Sequence, residues 1–266
     1  MWAEHVIVYR DPARYAAWPA NYGLWAWGDE LVVGVAVGYP LPEGHFHARD
    51  TRRPFSNMQA RSLDGGRTWA LEPLAAPRPG GRAFSCDEHL EPGLRLGEAL
   101  ESGLPPQPVA VREPIALDTP GLALLCARTG LGAGTPSWFY TSLDRCHTWQ
   151  GPFWLPRFGQ AGIEARTDVL IDSRDVCTLF LTASREEGGE GKGVLCARTV
   201  DGGRSWALRS WVARAASGYA IMPSTARLSE RTLLTAVRCH EAGPFDAGRH
   251  WIDLYRSDDD ALTWRW

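Results

Sequence analysis

The 266-residue chain is long enough to bury a sizeable core, and its 28 basic and 31 acidic residues leave a formal charge of −3. That balance lacks the basic stripe a nucleic-acid partner requires, and no apolar run approaches the ~18 residues needed to span a membrane. Thirteen tryptophans are many for this length. Some are expected to pack between sheets and others to stack beneath sugar rings.

The chain begins Met1-Trp2-Ala3-Glu4-His5, without the basic and apolar segments of a signal peptide, so the cytoplasm is the expected compartment. Trp18, Trp25 and Trp27 follow, in a segment that reads as a first strand. Leu31 to Val37 is a short, apolar, β-prone run. The polar loop Gly44-His45-Phe46-His47-Ala48-Arg49-Asp50-Thr51-Arg52-Arg53-Pro54 leads from it to a third strand, which enters Ser62-Leu63-Asp64-Gly65-Gly66-Arg67-Thr68-Trp69. Residues 75–107 carry five prolines and five glycines and read as an insertion loop, with an ionisable cluster at Cys86-Asp87-Glu88-His89.

Beyond the loop the same order repeats. The apolar strands are Leu122–Cys126, Thr178–Thr182 and Leu233–Val237. The octapeptide returns as Ser142–Trp149, Thr199–Trp206 and Ser257–Trp264, always in the frame Ser/Thr-x-Asp-x-x-x-Thr/Ser-Trp. Its aspartates are spaced by 80, 57 and 58 residues, the first interval being lengthened by the insertion. A period near 57 is too long for a helical repeat and suits a four-stranded propeller blade. The chain is therefore expected to be all-β, one domain over 1–266, with four-stranded blades at about 18–74, 108–155, 163–213 and 219–266.

Asp and Ser/Thr side chains brace tight turns by bonding backbone groups, and Gly tolerates positive φ there. The octapeptides are accordingly structural. The second and fourth have Cys146 and Ala261 where the others have Gly, which predicts distorted turns. Strands alternate in direction, so function is expected at the end opposite these turns. There, Gly162-Ile163-Glu164-Ala165-Arg166-Thr167-Asp168 puts three charges on one side of a strand, an arrangement suited to a wet, paired environment. Tyr219, Arg238-Cys239-His240-Glu241 and Arg249-His250 come from the last unit. One His-x-His pair, His45 and His47, is too little for a metal site, and no cofactor is expected. Six cysteines, none in a CxxC, read as reduced core thiols.

The repeated octapeptide resembles the Asp box of the sialidase superfamily, the BNR-repeat β-propellers. The resemblance extends over essentially the whole chain. Members have six blades, so four units imply an incomplete ring. It implies an exo-glycosidase releasing a terminal acidic sugar, with Asp50 as general acid/base, Glu164 as second carboxylate and His47 orienting. Arg49, Arg166 and Arg238 would bind an anionic group; Asp168, Tyr219, Asp87 and Glu88 would contact substrate. A Tyr–Glu nucleophile couple would pair Tyr219 with Glu164. One departure is plain: the family's Arg-Ile-Pro element corresponds to Tyr15-Ala16-Ala17-Trp18-Pro19, with Ala17 at the Arg position. Other acidic glycans thus stand level with sialic acid. A uronate-directed polysaccharide lyase and a non-catalytic glycan-binding propeller are the alternatives.

Overall fold

Strand β3 (Glu30–Gly38) shows how sequence becomes sheet in this chain. Its ELVVGVAVG sequence is dominated by β-branched and small residues, and it is buried without interruption from Val32 onward. Both faces of the strand are therefore covered, as its unbroken apolar run requires. Gly34 and Gly38 let aromatic neighbours come close: a Cβ at Gly34 would lie 2.4 Å from Tyr22 Cβ, and one at Gly38 would lie 2.3 Å from the Phe55 ring.

The structure is a computed structural model that describes residues 4–41, 48–50, 52–53, 55–76, 108–128, 131–184, 191–243 and 248–266. The fold is all-β: four antiparallel sheets form the blades of a β-propeller. In the first sheet, β3 pairs with β4 (Ser56–Ser62), and β4 with β5 (Ala70–Pro73). The other side of β3 is shared by β1 (Tyr15–Ala17) and β2 (Leu24–Trp27). The continuous first strand expected from sequence is thus interrupted, by the one-turn helix α1 (Pro19–Tyr22). Pro19 explains the break. Its missing N–H weakens a strand but suits the first turn of a helix.

The second sheet holds β6 (Ala123–Arg128), β7 (Ser137–Ser142) and β8 (Gln150–Leu155). The third holds β9 (Ile163–Glu164), β10 (Val169–Ile171), β11 (Cys177–Ala183), β12 (Gly193–Thr199) and β13 (Ala207–Arg214), with β9 and β10 sharing one side of β11. The fourth holds β14 (Tyr219–Arg227), β15 (Leu233–His240) and β16 (His250–Ser257). Two sheets therefore have three strands rather than four among the described residues. In the fourth, the last edge carries only an isolated bridge, Arg256 to Arg265.

By contacts the chain divides into two compact units, 1–108 with 120–125 and 140–152, and 109–119 with 126–139 and 153–266. In the second unit, Phe180, Val194, Cys196, Val212, Ala220, Leu233 and Val237 form a continuous core, with Trp251, Tyr255 and Trp264 packed against it. Each such buried Phe, Val or Leu side chain contributes roughly 1.5–3 kcal/mol. Five cysteines among the described residues (126, 146, 177, 196 and 239) are free and buried.

Candidate functional site

The octapeptides first show where chemistry is not. All four make one hydrogen-bond set. The opening hydroxyl donates to the aspartate, as Ser62 Oγ does to Asp64 Oδ1 at 2.8 Å, and accepts from the backbone N–H four residues on. The aspartate also accepts both the N–H and the hydroxyl of the closing Thr/Ser, at 2.9 and 2.7 Å in the first copy. The second, third and fourth copies repeat this. The hydrogen bonds from Thr68 lead in holding the Asp64 carboxyl down to about 2, and Asp144 also lies at about 2 because its hydrogen bonds outweigh its burial. These carboxylates are spent on their turns. The distortion expected without glycine does not occur. Arg145 and Cys146 take φ of 57° and 68°, and Asp260 and Ala261 take 59° and 65°, matching Gly65 and Gly66 at 72° and 88°. The four side chains offset the strain: Arg145 pairs with Glu30 and Asp260 with three arginines, while Cys146 and Ala261 are buried.

In the first unit, Asp50 N–H donates to Tyr39 O, and the Pro40–Arg49 bridge extends the hairpin beyond β3. The Asp50 carboxylate accepts from Arg52 Nε at 2.8 Å, Arg52 Nη2 at 3.2 Å and the Arg52 backbone N–H at 3.1 Å. The Arg52 hydrogen bond is the main cause of its lowered pKa. An ionised, paired Asp50 suits a base or charge partner better than a proton donor. The Arg49 guanidinium lies 5.6 Å from the centre of the Trp18 ring, in a cluster with Tyr15 and Phe55. Trp25 packs on Trp149, 5.6 Å between ring centres, so it is a packing tryptophan. His47, Asp87 and Glu88 lie outside the described residues.

The second unit assembles a denser group. Glu164, on the two-residue strand β9, is fully buried. Its Oε1 accepts from Gly132 N–H at 3.1 Å, and its Oε2 is 3.8 Å from Arg166 Nη1. Arg166 Nη1 also donates to Thr182 Oγ1 at 3.4 Å, and Arg128 Nη1 reaches Ala165 O at 3.5 Å. Burial raises the Glu164 pKa, and the charges of Arg166 and Arg128 oppose it without reversing it. The result is a carboxyl that is a weaker acid than an ordinary glutamate.

Asp168 does not join Glu164 and Arg166 on one strand face. Its N–H bonds to Arg166 O at 3.0 Å, which closes a tight turn and ends the alternation. Its carboxylate is held instead by Thr225, from the N–H at 3.3 Å and from Oγ1 at 2.9 Å. Burial pushes its pKa up to about 7, against those two bonds. Tyr219 stacks on His240 at 5.0 Å between ring centres, and His240 lies 4.2 Å from His250. Arg238 sits 5.7 Å from the Tyr219 ring and donates to Met222 Sδ at 3.5 Å. Met222 N–H in turn bonds Thr182 Oγ1 at 3.4 Å, which links this aromatic group to Arg166.

A cleft of about 260 Å³ opens beside Glu164, lined by Ser184, Lys192, Trp211 and Arg214 among others. It lies at the β11–β12 end of the third sheet, away from the Thr199–Trp206 turn, where Thr182 and Ala183 pair with Glu164 and Ile163. Ser184 is 8% exposed and its Oγ has no hydrogen bond among the described residues, yet its hydroxyl is near enough to Glu164 to favour ionisation. Arg214 lies 4.1 Å from the Trp211 ring centre. None of the lining residues is acidic. Sequence reasoning missed Ser184, Lys192, Trp211, Arg214 and Arg128. Only Arg128, a charge ending an apolar strand, carried a local signal. Among the described residues no group of three or more His, Cys, Asp or Glu could hold a metal ion, and no helix is long and apolar enough to cross a membrane.

No family model and no curated protein matches the chain. Solved structures do. A protein of unknown function from Dyadobacter fermentans is 14% identical, covers 98% of this chain and 70% of its own, and superposes with a TM-score of 0.63. An α-L-arabinofuranosidase from Fusarium graminearum is 16% identical over 95% of this chain and 65% of its own, TM-score 0.50. An α-L-arabinofuranosidase from Podospora anserina, in complex with cellotriose, is 12% identical over 97% and 70%, TM-score 0.51. This chain thus spans about two thirds of the length of each, and what it shares with them is the fold.

Proposed function

We propose that this chain is a carbohydrate-active protein that hydrolyses a glycosidic bond next to an acidic sugar, with Glu164 as the proton source. The observation that carries this reading is the Glu164 carboxyl: fully buried, with a raised pKa, anchored at one oxygen by Gly132 N–H, and adjacent to a cationic cleft. A general acid at neutral pH needs such an environment. Lys192 and Arg214 would take the sugar's anionic group and Trp211 its apolar face. Ser184, between cleft and carboxyl, would relay the proton: its hydroxyl proton goes to the glycosidic oxygen as the bond to the anomeric carbon breaks, and Glu164 replaces it. Water supplies hydroxide to the anomeric carbon, and its remaining proton returns to Glu164. The two arabinofuranosidases with this fold make carbohydrate the first class to test.

The finer reading, a sialidase-type exo-glycosidase with Asp50 as acid, rests on the octapeptide resemblance. The ion pair that keeps Asp50 charged speaks against its acid role. The test uses the full chain with fluorogenic sialosides and glucuronides and with uronate-containing oligosaccharides. Turnover is expected on an acidic substrate. Glu164→Gln should cut kcat about 100-fold or more while calorimetric affinity stays within a few fold. Full activity in that variant refutes the assignment. An unsaturated product absorbing in the ultraviolet would make the chain a lyase. Binding without turnover would make it a non-catalytic glycan-binding propeller.

A further inference from the structure

A second cleft, of about 480 Å³, lies in the second unit, away from Glu164. Its walls are the end of β8 with the residues after it (Trp154, Leu155, Pro156, Arg157), Ala110 and Val111, and the third octapeptide from Gly203 to Trp206. Trp154 is 49% exposed, although its backbone is firmly held: its N–H donates to Val109 O at 2.9 Å, beside the parallel bridge of Val109 to Phe153. Single exposed apolar residues are ordinary on protein surfaces. Here the exposed indole shares its cleft with a second one, Trp206, whose ring packs 5.6 Å from Phe139 and whose Nε1 has no acceptor among the described residues.

The charge of this cleft is one-sided. Arg157 and Arg204 line it, and no lining residue is acidic. Arg157 is anchored through Nη2 to Gly134 O at 2.9 Å, which aims the guanidinium without neutralising it. Among the described residues neither arginine takes part in an ion pair. The nearest carboxylate that Arg204 influences, Asp201, is already engaged by Thr199 and Ser205 at 2.8 and 2.6 Å. A rigid aromatic platform, apolar side walls and two cations describe a particular ligand. It has a flat apolar face with a negative group at its rim, as a uronic or sulfated sugar ring does. The volume suits one or two such rings.

We propose that the Trp154–Arg157–Arg204 cleft is a second, non-catalytic binding site for an anionic saccharide, in which the ring stacks on Trp154 and the two guanidinium groups read its charge. It stands independently of the Glu164 assignment, because it is defined by binding alone.

The test is calorimetric titration of the full chain and of Trp154→Ala and Arg157→Gln/Arg204→Gln variants with oligogalacturonides of three to six residues, and with cello-oligosaccharides as the neutral control. All titrations are run in the Glu164→Gln background, so that turnover does not interfere. The parent should bind the acidic oligosaccharide at a site that Trp154→Ala weakens about tenfold. At that site the double arginine variant should lose the preference for acidic over neutral ligand. Amide NMR of Trp154→Ala monitors folding, and turnover of small soluble substrates should be unchanged by Trp154→Ala in the wild-type background. Acidic-ligand affinity unaffected by Trp154→Ala overturns the site. Equal binding of neutral and acidic ligands, insensitive to the arginines, overturns its charge selectivity. Failure of Glu164→Gln to alter turnover would refute the catalytic reading and leave this one standing.

Discussion

Two acidic residues, Glu164 and Asp50, show how environment assigns chemistry. The Glu164 pKa is raised by burial, while that of Asp50 is lowered by its hydrogen bond with Arg52. Asp168 supplies a pH test. Its pKa in the folded protein lies near 7, above the ordinary 3.8, so the folded state binds the extra proton between those values. Its stabilising contribution is therefore complete below pH 4 and is lost as pH rises toward 7. The urea midpoint should fall from pH 5 to pH 8 by more in the parent than in Asp168→Asn; parallel curves would refute the shift. The octapeptide carboxylates act in the opposite direction and in a lower window. With Asp144 near 2, its contribution is present above pH 4 and is lost as pH falls toward 2. Asp260 is a further case: burial raises its pKa, but pairing with Arg198, Arg209 and Arg227 brings it below the ordinary value. Asp260→Asn keeps a residue that tolerates the left-handed backbone but removes the charge, and should cost about 2 kcal/mol by urea denaturation. No measurable loss would mean that these pairs are idle.

At the scale of elements, the octapeptide is largely a local device: the bonds of its opening hydroxyl and its aspartate side chain lie inside a window of seven residues, while one backbone N–H reaches out, as Gly65 does to Asp29 O. Asp144→Ala removes three bonds from one turn and should destabilise by about 1–2 kcal/mol, read from the denaturation midpoint, without changing glycan affinity. An effect on affinity alone would give the turn a binding role instead. The broken edge β9–β10 is the functional counterpart. Where a regular strand would align Glu164, Arg166 and Asp168, the turn at Arg166–Asp168 separates them, so one carboxyl faces Arg166 and the other faces Thr225.

For the molecule as a whole, the last sheet matters most. β16 is an edge strand whose burial alternates strictly: Trp251 and Tyr255 pack on the core, while Ile252 and Leu254 are 61% and 52% exposed. An edge with unpaired backbone and an apolar outer row is an association surface. Sedimentation velocity should show concentration-dependent association that Ile252→Lys/Leu254→Lys suppresses; a monomer at all concentrations would refute this.

Much of the fold was legible because it is written in short-range code. The side-chain bonds of the octapeptide need only residues within one turn, and an apolar run such as Leu233 to Val237 must be a buried strand wherever it packs. Composition and spacing alone therefore determined an all-β, repeated architecture and the structural role of its most recognisable motif. Local rules also misled. The absence of Gly at Cys146 and Ala261 suggested distorted turns, but burial of those side chains, with the ion pairs of Arg145 and Asp260, sustains the same backbone. Tertiary structure alone decided the chemistry. The raised pKa of Glu164 depends on burial, opposed by Arg166 and by Arg128, 36 positions away in sequence; the clefts draw Ser184, Lys192, Trp211 and Arg214, or Trp154 and Arg204, from separate stretches of the chain. Desolvation and charge pairing act through space, and the order of residues along the chain does not record them.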